Sequence, residues 1–310
     1  MNGRCASVTV ALWASACGYV ATPSQPRPPL PLAANAPVEA RVPDATLTAS
    51  ERLSDGSRRG VLAAGDESGR FRLWRDEEAA PRPLVLLVPI LAGGEDLLDT
   101  VARRMRGHGF DVATCARVES ALRPPQRGPD VEELFRRTVL HQRILLRWLR
   151  SDPGAAPSST FVLGMSMGGM VAAVLAAQEP DVAATAICLS GANLAGLVLC
   201  SSEARVRRWV DWRRDEDGIG DGDLEWELRQ YLHHEPLAFA AAVPAGEVLF
   251  VGAALDTVVP PRHQDLLWEA LGRPARLTVA LGHYTAAIAI DPILAAAAAH
   301  FDAHVAPRRD

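Results

Sequence analysis

The chain has 310 residues, of which 48% are hydrophobic, and this is enough for one large domain with a sizeable core. Its formal net charge is −5, and its 32 basic residues, all of them arginine, are scattered, so the sequence predicts no basic face and no nucleic-acid partner. Its five cysteines are too few and too irregularly spaced to predict a disulfide framework or a zinc site.

The N-terminus has the pattern of an export signal. Arg4 supplies a positive charge, and the apolar run Ala6–Ala16 is too short to span a bilayer, which needs roughly 20 apolar residues. The run ends in Ala14-Ser15-Ala16 directly before Cys17, which resembles a bacterial lipobox, although Ala14 stands where leucine is usual. We predict a lipoprotein-type signal over 1–17 and an exported, membrane-anchored protein. The alternative is an ordinary signal cleaved after Ala16, which would release a periplasmic or secreted protein.

A proline-rich segment follows. From Pro23 to Pro43 the chain has seven prolines, few charges and no periodicity, a composition typical of a stiff, extended tether. We therefore assign 18–55 to a tether and 56–310 to the folded domain.

The domain begins with an alternation of apolar runs and helical patterns. A hairpin is predicted from Gly60–Ala64 and Arg70–Trp74, with its turn at Asp66-Glu67-Ser68-Gly69. The continuous aliphatic run Leu84–Val88 is typical of a strand buried on both faces. A helix over Leu97–Arg106 and a strand over Phe110–Thr114 come next.

The alternation continues to the C-terminus. A long amphipathic helix is predicted to begin near Asp130, which is placed to cap it. The later patterns predict strands over Thr160–Leu163, Ala184–Leu189, Val248–Val251 and Leu277–Leu281, and helices over Met167–Gln178 and Ala286–His304. Strands that alternate with helices predict an α/β fold with a mainly parallel sheet covered on both faces.

One segment interrupts this pattern. The stretch between Leu189 and Val248 is far longer than one crossover helix needs. It contains two short amphipathic patterns, joined by an acidic, glycine-rich loop. We predict a helical lid inserted over one edge of the sheet, at about 194–243.

The segment Gly164-Met165-Ser166-Met167-Gly168 carries the candidate nucleophile. It joins a buried strand to an alanine-rich helix, and a serine on so sharp a turn needs glycine two residues away on either side. The structural alternative is a glycine-rich turn with an incidental serine.

A serine nucleophile needs a base, and the base needs a carboxylate that orients it. Asp256 and His283 follow the strands at Val248 and Leu277, so both lie where the active sites of open α/β sheets gather. They also come in the order serine, acid, histidine. The alternatives are a capping aspartate and a loop histidine.

Other histidines are weaker candidates. His263, with Asp265, lies where a helix should follow Pro260-Pro261, and a substrate contact from His233-His234 in the lid stays open. His300 and His304 share one face of the terminal helix and are interpreted as solvated.

The oxyanion of an acyl-transfer intermediate needs backbone donors. Met167 N–H, at a helix N-terminus, is the first candidate. The second should come from the loop after Val88, where we choose Leu91, with Ile90 as the alternative. The side chains of Met165 and Leu91 are candidates for the acyl pocket.

These residues resemble the α/β-hydrolase superfamily over roughly Gly60 to Val305, and the elbow is similar to those of bacterial esterase-like and dienelactone-hydrolase-like members. The resemblance implies a Ser–His–Asp triad, a sheet of about eight strands, and no cofactor or metal. Pro89-Ile90 departs from the His-Gly that many members carry before the oxyanion residue.

We therefore expect a serine hydrolase that acts on small carboxylic esters through an acyl-enzyme. A thioesterase, lactonase or peptidase with the same triad is the alternative among enzymes. An inactive, lipid-anchored binding protein is the alternative from another class. A membrane contact is expected only through a lipid on Cys17.

Overall fold

The apolar runs form one mixed β-sheet in a computed structural model, which describes residues 19–23, 42–76, 82–90, 95–116, 122–151 and 156–305. Among these residues the sheet has ten strands. They are β1 (Tyr19–Thr22), β2 (Thr46–Arg52), β3 (Arg58–Ala64), β4 (Glu67–Trp74), β5 (Leu84–Val88), β6 (Asp111–Cys115), β7 (Thr160–Met165), β8 (Ala184–Cys188), β9 (Val248–Ala253) and β10 (Ala275–Val279).

The strand order is β1-β10-β9-β8-β7-β5-β6-β4-β3-β2. The six strands from β10 to β6 run parallel to one another, whereas β1 and the three strands from β4 to β2 are antiparallel to their neighbours. The predicted α/β fold with a mainly parallel sheet is therefore confirmed. The eight predicted strands are all present, and the outermost strands, β1 and β2, are the two additional ones.

Both additional strands lie in the segment 18–55 that composition assigns to a tether, and for these strands that assignment is wrong. Residues Tyr19–Thr22 pair antiparallel with β10, and Thr46–Arg52 pair antiparallel with β3. The polar residues of β2 are mostly exposed, so this edge strand lacks the apolar alternation that announces a half-buried strand. Residues 1–18 and 24–41, which include the predicted signal, lie outside the described residues.

Helices cover both faces of the sheet. Among the described residues they are α1 (Glu95–Gly107), α2 (Gly128–Ser151), α3 (Met167–Gln178), α4 (Leu194–Cys200), α5 (Ala204–Asp217), α6 (Asp221–Tyr231), α7 (Pro236–Ala240), α8 (Pro261–Ala270) and α9 (Ile290–Asp302), with 3₁₀ turns at Ala245–Glu247 and Thr285–Ala289. Apolar side chains of α1 and α9 form one core cluster, and those of α2, α3 and α8 form a second, on the other face.

The last helical stretch of the chain is apolar along most of its length. The run Thr285–Asp302 is, within the described residues, the one stretch long and apolar enough to cross a membrane by length and composition. Its side chains Ile293, Leu294 and Phe301 are buried against the sheet, so it closes one core cluster of the domain. The predicted helix over Ala286–His304 corresponds to the 3₁₀ turn Thr285–Ala289 followed by α9.

The segment between β8 and β9 is a helical insertion, which agrees with the prediction for about 194–243. It has four helices, α4 to α7, rather than the two that the amphipathic patterns indicate. The fully buried Trp209 donates from Nε1 to the carbonyl of Gln126, and the buried Arg213 forms ion pairs with Asp217 and Glu227. The Trp209 hydrogen bond holds the insertion against the segment before α2, and the ion pair with Glu227 joins α5 to α6.

Candidate active site

A sharp turn between β7 and α3 presents Ser166. Its backbone has φ 54° and ψ −126°, a left-handed conformation that costs free energy in a residue other than glycine. A Cβ atom added at Gly164 would lie 2.1 Å from the carbonyl oxygen of Gly168, and one added at Gly168 would lie 2.6 Å from that of Val88. Both glycines are therefore required by close packing, as the spacing predicts. The Ser166 N–H donates to the Cys188 carbonyl at 2.9 Å, which fixes the turn to β8.

The loop after β9 buries Asp256, which is 2% exposed. Its Oδ1 accepts hydrogen bonds from the N–H groups of Val258 and Val259, both at 2.8 Å. Its Oδ2 lies 2.7 Å from Nδ1 of His283. The two backbone donors hold the carboxylate in one orientation, with the second oxygen directed at the imidazole. The Asx-type pattern Asp-Thr-Val-Val-Pro is a sequence signal for this support, and it is separate from the order of the three triad residues.

His283 lies on the loop after β10 and connects the other two residues. Its Nε2 is 2.9 Å from Ser166 Oγ, while its Nδ1 faces Asp256. An ionised carboxylate can only accept a hydrogen bond, so the proton of the neutral imidazole belongs on Nδ1 and Nε2 is left as the acceptor for the serine hydroxyl. The three residues predicted from strand-end positions therefore lie in one hydrogen-bonded chain.

The other histidines have different partners. The buried His263 has Nδ1 at 2.8 Å from the Ala192 carbonyl and Nε2 at 3.3 Å from Cys200 Sγ. Burial lowers the pKa of His263, so it is a neutral residue that links α8 to α4. His234 contacts Glu132 through Nδ1 at 2.6 Å, and His300 contacts the carbonyl of Glu247 at 3.2 Å. In contrast to the prediction of a solvated residue, His300 is half-buried.

One oxyanion candidate can be located in the structure. Met167 is the first residue of α3, and the first N–H groups of a helix have no partner within the helix. The N–H groups of Gly169 and Met170 instead donate to the Ser166 carbonyl. Leu91, predicted to supply the second donor, lies outside the described residues, and its neighbour Ile90 is half-buried beside the site.

Ser166 and His283 line a cavity of about 380 Å³, which is large enough to enclose a small ligand. Most of its walls are apolar. Met165, the predicted pocket residue, lines it, as do Met167 and Met170.

The cavity extends to both sides of the sheet. The lid lobe, as we define it, is lined by α2 and the insertion, and includes Val131, Phe135, Leu197, Val198 and Leu232. The terminal-helix lobe includes Ile90, Leu97, Ala287, Ile290 and Ile293. Their buried members belong to the two different core clusters, and Ser166 stands between the lobes.

Few charged groups face this space. Glu203 is the carboxylate among the lining residues that the structure describes, and it accepts hydrogen bonds from the N–H groups of Arg205 and Val206 as the cap of α5. Burial raises the pKa of the Cys188 thiol to about 12, so this thiol is neutral at physiological pH. The site is therefore suited to uncharged groups on either side of the reacting bond.

Part of the chain is similar in sequence to a known family. Residues 123–241 match the sequence model of the Esterase family. This region includes Ser166 and the insertion, but neither Asp256 nor His283. No curated protein matches the sequence.

Solved structures share the fold at low sequence identity. Acetyl xylan esterase 1 from Thermoanaerobacterium sp. JW/SL YS485 has a TM-score of 0.60 and 16% identity, over 83% of this chain and 89% of that one. The 2,6-dihydroxy-pseudo-oxynicotine hydrolase has a TM-score of 0.60 and 17% identity, over 82% and 69%. A cold-adapted esterase from an Arctic intertidal metagenomic library has a TM-score of 0.54 and 16% identity, over 84% and 100%. The predicted α/β-hydrolase fold and the resemblance to esterase-like members are confirmed.

Proposed function

We propose that this α/β-hydrolase, similar in fold to known esterases, is a serine hydrolase that cleaves carboxylic esters through an acyl-enzyme. The observation that carries the proposal is the hydrogen-bonded chain from Asp256 through His283 to Ser166, which ends at the apolar cavity. The match to the Esterase family and the esterases among the structural neighbours support the same reaction class.

In the first half of the reaction Ser166 Oγ attacks the acyl carbon of the ester. His283 Nε2, 2.9 Å away, takes the hydroxyl proton, and the resulting imidazolium is stabilised by the Asp256 carboxylate. The tetrahedral intermediate collapses, the C–O bond to the alcohol breaks, and the same proton passes from Nε2 to the leaving alkoxide. The products of this half are the free alcohol and an ester on Ser166.

In the second half water replaces the alcohol. His283 removes a proton from the water, the resulting hydroxide attacks the acyl carbon, and the proton returns to Ser166 Oγ as the carboxylic acid leaves. In both halves the oxyanion needs donors that are already oriented. Met167 N–H is our assignment for the first donor and Leu91 N–H for the second.

The cavity indicates the substrate class. Its two lobes are lined by residues from opposite faces of the sheet, and most of these residues are aliphatic or methionine. An ester has one substituent on each side of its carboxyl group, the acyl chain and the alcohol. One lobe therefore suits the acyl chain and the other lobe suits the alcohol. Burial of apolar surface drives binding of both. We therefore propose uncharged esters with apolar substituents on both sides.

The test is turnover of p-nitrophenyl and alkyl esters of graded chain length by the purified protein. The wild-type protein should hydrolyse them, and Ser166→Ala should reduce kcat by at least about 10³-fold. Ser201→Ala is the matched control, because this serine also lines the cavity but its Oγ accepts the N–H of Glu203 instead of facing an imidazole. Equal loss in both variants, or no turnover by the wild-type protein, would contradict the proposal.

We also propose that the protein is exported and anchored by a lipid on Cys17. The support is the pattern of one positive charge, a short apolar run and small residues directly before the cysteine. Mass spectrometry of the mature N-terminus tests this directly. An acylated Cys17 is expected, whereas a free N-terminus at Cys17 would remove the anchor.

A further inference from the structure

Three large apolar side chains stand exposed beside the catalytic residues. Leu255 is 66% exposed, Tyr284 is 65% exposed and Ile288 is 76% exposed. Leu255 precedes Asp256, and Tyr284 follows His283 in the chain. We call these three residues the mouth rim. Isolated exposed apolar side chains are common, but a cluster at a functional site indicates an interaction surface.

The mouth rim comes from two loops that a backbone hydrogen bond joins. The N–H of Leu255 donates to the Leu281 carbonyl at 3.0 Å, which joins the loop after β9 to the loop after β10. The N–H of Ala287 donates to the Tyr284 carbonyl at 3.2 Å, so Tyr284 and Ile288 lie on consecutive turns of one short helical segment. Tyr284 and Ala287 also line the cavity, which connects the rim to Ser166.

The two loops that carry the rim have few charged residues, and a further carboxylate near Tyr284 is that of the half-buried Glu203, which also lines the cavity. Between Gly252 and Pro260 the single charged residue is the buried Asp256, and between Thr278 and Ile290 the single ionisable base is His283. Small or hydroxylated residues supply the other exposed positions of these loops, which are Ala254, Thr257, Ala280, Thr285 and Ala287. A partner of this surface is therefore recognised mainly through apolar contact.

The position of β1 in the sheet indicates what the mouth rim contacts. In the antiparallel pairing of β1 with β10, Tyr19 is opposite Val279, at the carboxyl end of β10. The Val279 carbonyl also accepts the N–H of Ala254, the neighbour of Leu255. The chain therefore enters the sheet at the same edge as the mouth rim. Cys17 precedes Tyr19 by two residues, which span at most about 7 Å.

We infer that the mouth rim docks on the surface of a phospholipid bilayer, with Leu255, Tyr284 and Ile288 entering its apolar layer. A lipid on Cys17 would hold this edge against the membrane, because only Gly18 separates Cys17 from the first residue of β1. The cavity then opens into the bilayer, where apolar esters concentrate. This inference deepens the proposed function and rests on it for the identity of the substrate.

The test uses the mature polypeptide, residues 17–310, with Cys17→Ser so that no lipid is attached and with Ser166→Ala so that no ester is consumed. Its flotation with phosphatidylcholine vesicles is compared with that of the double variant Leu255→Ser/Ile288→Ser. Removing both apolar side chains should weaken partition into vesicles roughly tenfold or more. Trp226→Ser is the matched control, because Trp226 on α6 is also 66% exposed and does not line the cavity. It should change partition less than twofold.

A second measurement restores Ser166 and compares two substrates. The double variant should hydrolyse a water-soluble short-chain ester within about twofold of the unsubstituted chain, but an ester dissolved in vesicles at least tenfold more slowly. Soluble turnover without flotation would overturn the docking surface and leave the proposed function intact. Flotation that depends on Leu255 and Ile288, without turnover of any ester, would support the docking surface and overturn the proposed function. A stable dimer that the double variant dissociates would assign the rim to a second copy of the chain and would also overturn the inference.

Discussion

Asp256→Asn is the substitution that most specifically tests how the site orients its base. The new amide has the shape of the carboxylate but presents an oxygen on one side and an NH₂ group on the other. If its oxygen stays at the Oδ1 position, it keeps the N–H groups of Val258 and Val259 and turns the NH₂ group towards His283 Nδ1. The opposite orientation leaves two buried N–H donors facing another donor, at a cost of about 1–3 kcal/mol for each.

The first orientation is therefore strongly favoured. It changes the tautomer of the His283 imidazole. The NH₂ group can only donate, so Nδ1 of His283 must accept and the proton moves to Nε2. Nε2 then cannot take the proton of Ser166. The wrong tautomer in a triad costs ~10⁴-fold in kcat, which corresponds to about 5 kcal/mol of transition-state stabilisation.

The assay is steady-state hydrolysis of a p-nitrophenyl ester, with thermal unfolding to show that the variant is folded. Asp265→Asn is the matched control, because this exposed aspartate on α8 pairs with Arg276 and not with an imidazole. It should retain activity within about twofold. A kcat within tenfold of wild type for a folded Asp256→Asn protein would refute the assigned role of the carboxylate.

Further predictions concern the elbow, the cavity and the terminal helix. Gly164→Ala should lower the free energy of unfolding by ~2–4 kcal/mol in chemical denaturation, because its Cβ would meet a backbone oxygen. Gly222→Ala is the control. It has open space around it on α6 and should raise the free energy of unfolding by about 0.5 kcal/mol. Val198→Phe narrows the lid lobe and Ala287→Phe narrows the terminal-helix lobe. When esters of varied acyl and alcohol chain length are compared, one variant should accept only shorter acyl chains and the other only shorter alcohols. A limit on the same substituent in both variants would contradict the two-lobe assignment. Burial lowers the pKa of His300 to about 4. The unfolded chain therefore binds a proton that the folded chain excludes as pH falls from about 6.5 towards 4, and stability is lost across this window. His300→Gln should make denaturation midpoints less dependent on pH there.

The central part of the fold is predictable because its strands are buried on both faces. The run Leu84–Val88 is aliphatic throughout and forms β5 with the predicted bounds, and the same is true of the predicted helix Met167–Gln178. Parallel strands bring their carboxyl ends to one edge, so strand-end positions alone bring Asp256 and His283 to Ser166. The order of these residues in the chain therefore carries three-dimensional information.

The edges of the sheet are less predictable. Strand β2 is polar and mostly exposed, and β1 has only four residues, so neither shows the apolar pattern from which a strand is inferred. Strand β1 pairs with β10, far away in the chain, and such a non-local contact leaves no local signal. Strand β2 pairs with the next strand, β3, but its exposed polar residues hide that hairpin from an apolar pattern.

The cavity is also beyond prediction from periodicity. Val131 and Phe135 belong to the apolar face of α2, which a pattern alone assigns to the core. Whether such side chains fill space or line it depends on how closely α4 and α5 approach, and this is a property of the assembled tertiary structure. For the same reason the exposure of Leu255 and Ile288 cannot be read from their residue type.

The central claim is that Ser166 is a nucleophile activated by His283. Its most direct test is reaction of the purified protein with a fluorophosphonate, followed by intact mass measurement and peptide mapping. We predict a single phosphonyl adduct on Ser166, with labelling abolished in Ser166→Ala and at least about 10³-fold slower in His283→Ala. A wild-type protein that stays unlabelled, or a peptide map that finds the adduct on another serine, would contradict the account.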